Sequence, residues 1–113
     1  MASCDSNPVA GTKLRGNTVS KSSDGGIALT CDGFLLVDNV SKGAVDDGFQ
    51  LVGDGGTVIG NRATGNAEAG IILVGDDHLL SGNTGKGNGT FDLELQGNGN
   101  IVDATNVFKT TGP

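Results

Sequence analysis

The sequence predicts an all-β solenoid in a single domain, residues 1–113. Three observations predict it. Asparagine recurs every 22 residues, at Asn17, Asn39, Asn61 and Asn83, with Gly16, Gly60 and Gly82 directly before three of them. Apolar pairs recur in the same register: Ile27/Leu29, Phe49/Leu51, Ile71/Leu73 and Leu93/Leu95. Glycine supplies 21 of 113 residues against ~7% in an average chain, while aromatics are 4%, with no Trp or Tyr. A conventional globule needs more large side chains to offset chain entropy. A repeat in constant register packs modest residues well enough to do without them.

Each element follows from the repeat. Units begin at Gly26 and run 26–47, 48–69, 70–91 and 92–113, with 4–25 a poorer first unit. That makes about five coils of 22 residues with no insertion or deletion. The apolar-x-apolar pair opening each unit is a short strand with one face buried. Seven residues beyond its second apolar residue lies the column Leu14, Leu36, Val58, Leu80, Val102, a second strand. A third column, Val19, Ser41, Ala63, Gly85, Val107, is small enough to line a tight corner. Turn clusters such as Gly53-Asp54-Gly55-Gly56 and Gly97-Asn98-Gly99-Asn100 separate them. No 3.6-residue period survives, and glycine recurs too often for a helix. Coils pair at ~4.8 Å, so the asparagines stack, each amide donating to and accepting from its neighbours. The first unit has Asp5 and Asn7 at its apolar positions and Pro8 after them, which predicts an irregular coil or N-terminal cap.

The pattern G-Φ-x-L…Φ-x-G-N-x-Φ resembles the right-handed parallel β-helix repeats of pectate lyases, alginate epimerases and the NosD-like carbohydrate-binding and sugar-hydrolase group. The resemblance covers residues 26–107 well and 4–25 weakly. It implies a right-handed parallel β-helix, and a carbohydrate partner at the cell surface or outside the cell. Left-handed β-helices run on a hexapeptide rhythm of about 18 residues per coil, which 22 does not fit. These repeats encode a scaffold and say little of chemistry.

Composition excludes several function classes. No apolar run approaches the ~18 residues of a membrane helix, and Met1-Ala2-Ser3-Cys4 has no signal-peptide pattern. A net charge of −6 disfavours nucleic acid, whose phosphates repel it. Cys4 and Cys31 lack metal-ligand spacing, and strict register leaves them too far apart for a disulfide, so Cys31 is expected as a small buried or turn thiol. An irregular first coil is the one way to bring Cys4 elsewhere.

Five of the seven basic residues, Lys21, Lys42, Arg62, Lys86 and Lys109, fall at positions fifteen to eighteen of the unit, where no Asp or Glu occurs. A fixed position in the unit is a fixed side of the column. This basic stripe suits an anionic polysaccharide, with Lys21, Lys42, Arg62 and Lys86 as the binding residues. Asp32, Asp54 and Asp76 form an acidic column, continued by Asn98, that offers oxygens to calcium. The competing reading is a solvated turn, because Asp and Gly favour turns. Asp24, Asp46 and Glu68 form a second acidic column with Asp47 beside it.

No catalytic residue is assigned. Family lyases use Arg or Lys with calcium-binding Asp, and epimerases use Tyr and His. This chain has no Tyr, and its one histidine, His78, falls in a turn and reads as polar surface. Asp46-Asp47 and Asp76-Asp77 make no acid/base pair if adjacent strand residues point to opposite faces. A regular Thr face for ice binding is broken by Val40 and Arg62. Equal unit lengths leave no long loops to build an active site. Phe91 and Phe108 are expected to tuck over an otherwise open C-terminal end. The expected function is a self-associating, non-catalytic module that binds an anionic polysaccharide. The alternatives are a lyase or epimerase completed by another subunit and a purely structural protein.

Overall fold

The computed structural model describes Ala2–Ser3 and residues 12–112, and the described residues form a stack of coils. The N-terminal coil contributes β1 (Ala2–Ser3), β2 (Lys13–Arg15) and β3 (Thr18–Ser20). Three regular coils follow: β4 (Ile27–Thr30), β5 (Leu35–Val37), β6 (Val40–Lys42); β7 (Phe49–Val52), β8 (Thr57–Ile59), β9 (Arg62–Thr64); and β10 (Ile71–Val74), β11 (Leu79–Ser81), β12 (Thr84–Lys86). The last coil carries β13 (Leu93–Gln96), β14 (Ile101–Val102) and β15 (Val107–Phe108), and β16 (Thr111–Gly112) begins another. All strands pair in parallel, in three sheets. The first runs β1-β4-β7-β10-β13-β16, the second β2-β5-β8-β11-β14, and the third β3-β6-β9-β12-β15.

Side-chain alternation fills the interior. Phe49, Leu51, Ile71, Leu73 and Leu93 of the first sheet meet Leu36, Val58 and Leu80 of the second, all fully buried. Stacking of like on like gives each apolar side chain two equivalent neighbours, the packing that a one-dimensional repeat uses in place of a globular core. The third sheet turns small residues inward, Ser41, Ala63 and Gly85, because the start of the first sheet presses against it. A Cβ on Gly26 would stand 1.9 Å from the Ser41 hydroxyl, and one on Gly85 2.8 Å from the Asp92 Cβ.

The 22-residue register holds through the middle and fails at both ends. Ile27, Phe49, Ile71 and Leu93 pair in sequence, each 22 residues on. In the last coil Leu80 still pairs with Val102, but Gly85 pairs with Phe108, a step of 23. One extra residue lies between them, so Phe108 and not Val107 points inward, partly buried against the core. Leu93 then pairs with Thr111, a step of 18. At the N-terminal end Ala2 pairs with Leu29, a step of 27. Constant unit length therefore holds from Lys13 to Val102 and fails beyond those residues. End coils stack on one neighbour only, so their register is less constrained. Phe91 lies against Gly112, where a Cβ would stand 2.4 Å from its ring.

His78 corrects a second expectation. It is buried, 1% exposed, and stacks on Phe34 with ring centroids 5.5 Å apart. Gly56 lies in the coil between them, and a Cβ there would meet the Phe34 ring at 2.2 Å. The missing side chain lets two rings from alternate coils touch. Nδ1 of His78 lies 2.7 Å from the Asn100 Oδ1 and Nε2 lies 2.6 Å from the Gly53 carbonyl, so an acceptor oxygen faces each ring nitrogen.

Candidate functional site

The asparagines form a continuous ladder inside the corner before the third sheet. The N–H and the Nδ2 of Asn17 both donate to Asn39 Oδ1 at 2.9 and 3.0 Å, and Asn39 donates to Asn61 at the same distances. Asn61 donates to Asn83 at 2.9 and 3.1 Å. The ladder continues to Asn106, which receives Asn83 at 2.9 Å. Strict register would have assigned that rung to Thr105; the extra residue in the last coil moves Asn106 into it. A second ladder, unforeseen, joins Ala44 to Asn66 Oδ1, Asn66 to Asn88 Oδ1 and Asn88 to Asp92 Oδ1. Its signal was present: Asn66 and Asn88 are 22 residues apart, each after a glycine. Asp92 closes this ladder by accepting the backbone N–H groups of Lys109 and Thr110 at 3.0 and 3.3 Å. Burial works to raise the Asp92 pKa, but the bonds from Asn88, Lys109 and Thr110 prevail and hold it below the usual carboxylate value.

The Asp32/Asp54/Asp76 column is exposed and does a similar task. Asp32 Oδ1 accepts the Asp54 N–H at 2.9 Å, Asp54 Oδ1 accepts that of Asp76 at 2.8 Å, and Asp76 Oδ1 accepts that of Asn98 at 2.8 Å. One oxygen of each carboxylate is thus bound to backbone, and the carboxylates stand where the chain turns sharply. At Asp54 and Asp76 the turn depends on the glycine before each. Gly53 and Gly75 have φ of +142° and +132°, and a Cβ on either would stand 2.0 Å from a carbonyl oxygen of the preceding coil.

Five of the seven basic residues lie on or beside the third sheet, whose strands contain no Asp or Glu, while Lys13 and Arg15 lie on β2 of the second. Lys42, Thr64 and Lys86 share one outward column, and Arg62 stands two residues before Thr64 on the same face. Lys21 follows β3 in a turn at the rim, with φ +55° and its N–H bonded to the Lys42 carbonyl. All four are exposed. The stripe is therefore a two-column face with a rim and not a single row.

A second group of acidic residues gathers in the corner between the third sheet and the first. Oxygens of Asp46, Asp47 and Glu68 lie within 4.8 Å of one another in the corner before the first sheet. Residues 46–47 precede β7, in a bend, so the strand rule that would send them to opposite faces does not apply. Burial pushes the Asp47 pKa up against the pull of the Ala69 N–H, and the charges of Asp46 and Glu94 push it further. The Asp46 charge, then that of Asp47, raises Glu68. Asp24, Ser22, Gln50 and Ala28 join Asp46 and Asp47 around an open cleft of about 310 Å³.

Cys31 is disulfide-bonded, and no free cysteine occurs among the described residues. This corrects the thiol expected from strict register, which does not hold at the N-terminal end. Cys4, the chain's other cysteine, lies outside the described residues.

Three parallel sheets wound in coils of about 22 residues around an amide-laddered core define a β-solenoid. The family model for the right-handed β-helix region matches residues 3–112, and the chain belongs to that family. No curated protein and no solved structure gave a significant match to it. No helix among the described residues is long and apolar enough to cross a membrane.

Proposed function

We propose that this chain is a non-catalytic β-helix module that associates with itself and binds an anionic polysaccharide on the outer face of the third sheet. One observation carries the reading: on a chain of net charge −6, Lys42, Arg62 and Lys86 stand exposed on a sheet face free of carboxylates, with Lys21 at its rim. Thr18, Ser20, Thr64 and Thr84 stand on the same face as hydroxyl donors and acceptors. Lysine and arginine separated by coil steps of ~4.8 Å match a partner whose charge is spread along a chain better than one compact anion. The test is migration through native gels cast with acidic or neutral polysaccharides. Retardation by the acidic polymers is expected, with loss in the triple variant Lys42→Gln, Arg62→Gln, Lys86→Gln and an unchanged circular dichroism spectrum. Equal mobility of the wild type in every gel overturns the reading.

Calcium at Asp32, Asp54 and Asp76 stays part of the proposal, since each carboxylate uses one oxygen in the backbone ladder and has a second to offer. Added chelator then reduces retardation. The second reading, a carbohydrate-active enzyme completed by another subunit, draws on the Asp46/Asp47 cleft, where a carboxyl of raised pKa adjoins another carboxylate. That cleft repels an acidic substrate, which ranks the reading second. Product release from a polysaccharide, lost in Asp47→Asn, would favour it.

A further inference from the structure

The second sheet turns a hydrocarbon stripe outward. One outward column reads Lys13, Leu35, Thr57, Leu79 and Ile101. The other reads Arg15, Val37, Ile59 and Ser81, followed by Asp103, whose N–H bonds the Leu80 carbonyl. Ile59 is 38%, Leu79 41% and Ile101 60% exposed, and no described residue covers them. Over four coil steps of ~4.8 Å the stripe is about 19 Å long. It has cations at its N-terminal end and a carboxylate at its C-terminal end.

We infer that a second copy of this chain occupies the stripe, face to face and with the two solenoid axes antiparallel. The argument is charge complementarity under a two-fold axis. An axis along the strands of the middle coil keeps each column opposite itself and reverses the order of coils. Arg15 of one copy then faces Asp103 of the other, twice per dimer. Leu35 faces Leu79, and Ile59 meets its own equivalent on the axis. The parallel arrangement puts Lys13 and Arg15 against the same two cations of the second copy and Asp103 near its equivalent, which like-charge repulsion disfavours. The contact is isologous, so it closes at two copies. The stripe is smaller than the ~800 Å² per partner of a standard stable interface, so association belongs to the weak class.

This inference gives the self-association proposed above its surface and symmetry, and rests on that part of the reading. It is tested by sedimentation velocity over a concentration series, on the wild type, Arg15→Asp, Asp103→Arg, the double reversal, and Ile59→Lys. A monomer–dimer equilibrium is expected for the wild type. Each single reversal and Ile59→Lys should weaken it tenfold or more, and the double reversal should restore it. Arg15 and Ile59 are exposed, so those variants keep their fold even if Asp103→Arg disturbs its turn. A wild type monomeric at every concentration overturns self-association and this surface together. A dimer indifferent to Arg15→Asp and Ile59→Lys overturns this surface alone. A double reversal that stays monomeric overturns the antiparallel pairing, and an open-ended series of oligomers overturns the two-fold.

Discussion

Individual glycines differ in what they do, and the structure separates them. Gly75 combines a φ of +132° with a carbonyl oxygen 2.0 Å from where its Cβ would stand. Gly55 has φ +68° and nothing within 4 Å of its Cβ position. Gly55→Ala should therefore cost only the ~1 kcal/mol of left-handed strain, while Gly75→Ala adds a backbone clash and should cost about 3 kcal/mol or more. Comparing the two midpoints in urea checks this. Gly56→Ala should also destabilise strongly, for a third reason, since its backbone is unstrained but Phe34 fills the space. Replacing Phe34 by Leu in the same chain should recover part of that loss, read as a rise in Tm.

Among elements, the ladders decide how the coils hold together. Asn61 donates to the Leu36 and Ile59 carbonyls and to Asn83 Oδ1, and accepts from Asn39. Asn61→Ala strands several of these groups in the interior, at about 1–3 kcal/mol each, so a loss on the order of 4 kcal/mol is expected in urea unfolding. Asn17 is exposed at the ladder's end, and Asn17→Ala should cost less than about 1 kcal/mol. The carboxylates divide by the sign of their shifts. Asp92, lowered from 3.8, contributes stability that is present above that value and lost as pH falls through its folded pKa. Asp47 and Glu68 are raised from 3.8 and 4.5, so the folded chain holds their protons more tightly and loses stability as pH rises through that window. Asp92→Asn should destabilise at pH 7 with the difference vanishing in acid. Asp47→Asn should stabilise at pH 7 and gain nothing below pH 3.8, as thermal unfolding across pH will show.

At the scale of the molecule, charge is sorted around the coil: five of the seven cations on or beside the third sheet, acids in the corners flanking the first, and on the second an apolar stripe with Lys13 and Arg15 at one end and Asp103 at the other. A regular coil makes such sorting simple, because each position in the repeat returns to the same side. Surface attraction of this kind is screened within a Debye length of about 8 Å at physiological salt. Retardation by acidic polysaccharide should therefore fall steeply between 0.05 and 0.5 M salt, whereas dimerisation through the second sheet, with its hydrocarbon centre, should fall less. Running the gels and the sedimentation series across that range separates the two surfaces.

The central architecture was legible in the residues. A period of 22, paired apolar positions and a column of asparagines suffice for coils, strands and a ladder, because each is a local pattern repeated. The basic residues were legible as a side of the coil for the same reason. What was not legible came from places where the repeat breaks or where distant residues meet. Asn106 takes a rung because the last coil holds one extra residue, whereas a step of 22 from Asn83 leads to Thr105. His78 looked like turn surface, yet it is buried, because Gly56 in the coil before it leaves room for Phe34 to stack upon it. The column of Asp46 and Glu68 with Asp47 beside it was legible, but the convergence of Asp46 and Asp47 needed the bend before the first sheet, where strand alternation does not apply. Periodicity is a property of neighbours along the chain, and so the sequence by itself determined the repeating interior. The Asn106 rung, the ring stack and the convergence of Asp46 with Asp47 arise where the repeat breaks or side chains meet across it, and only the tertiary structure decided them.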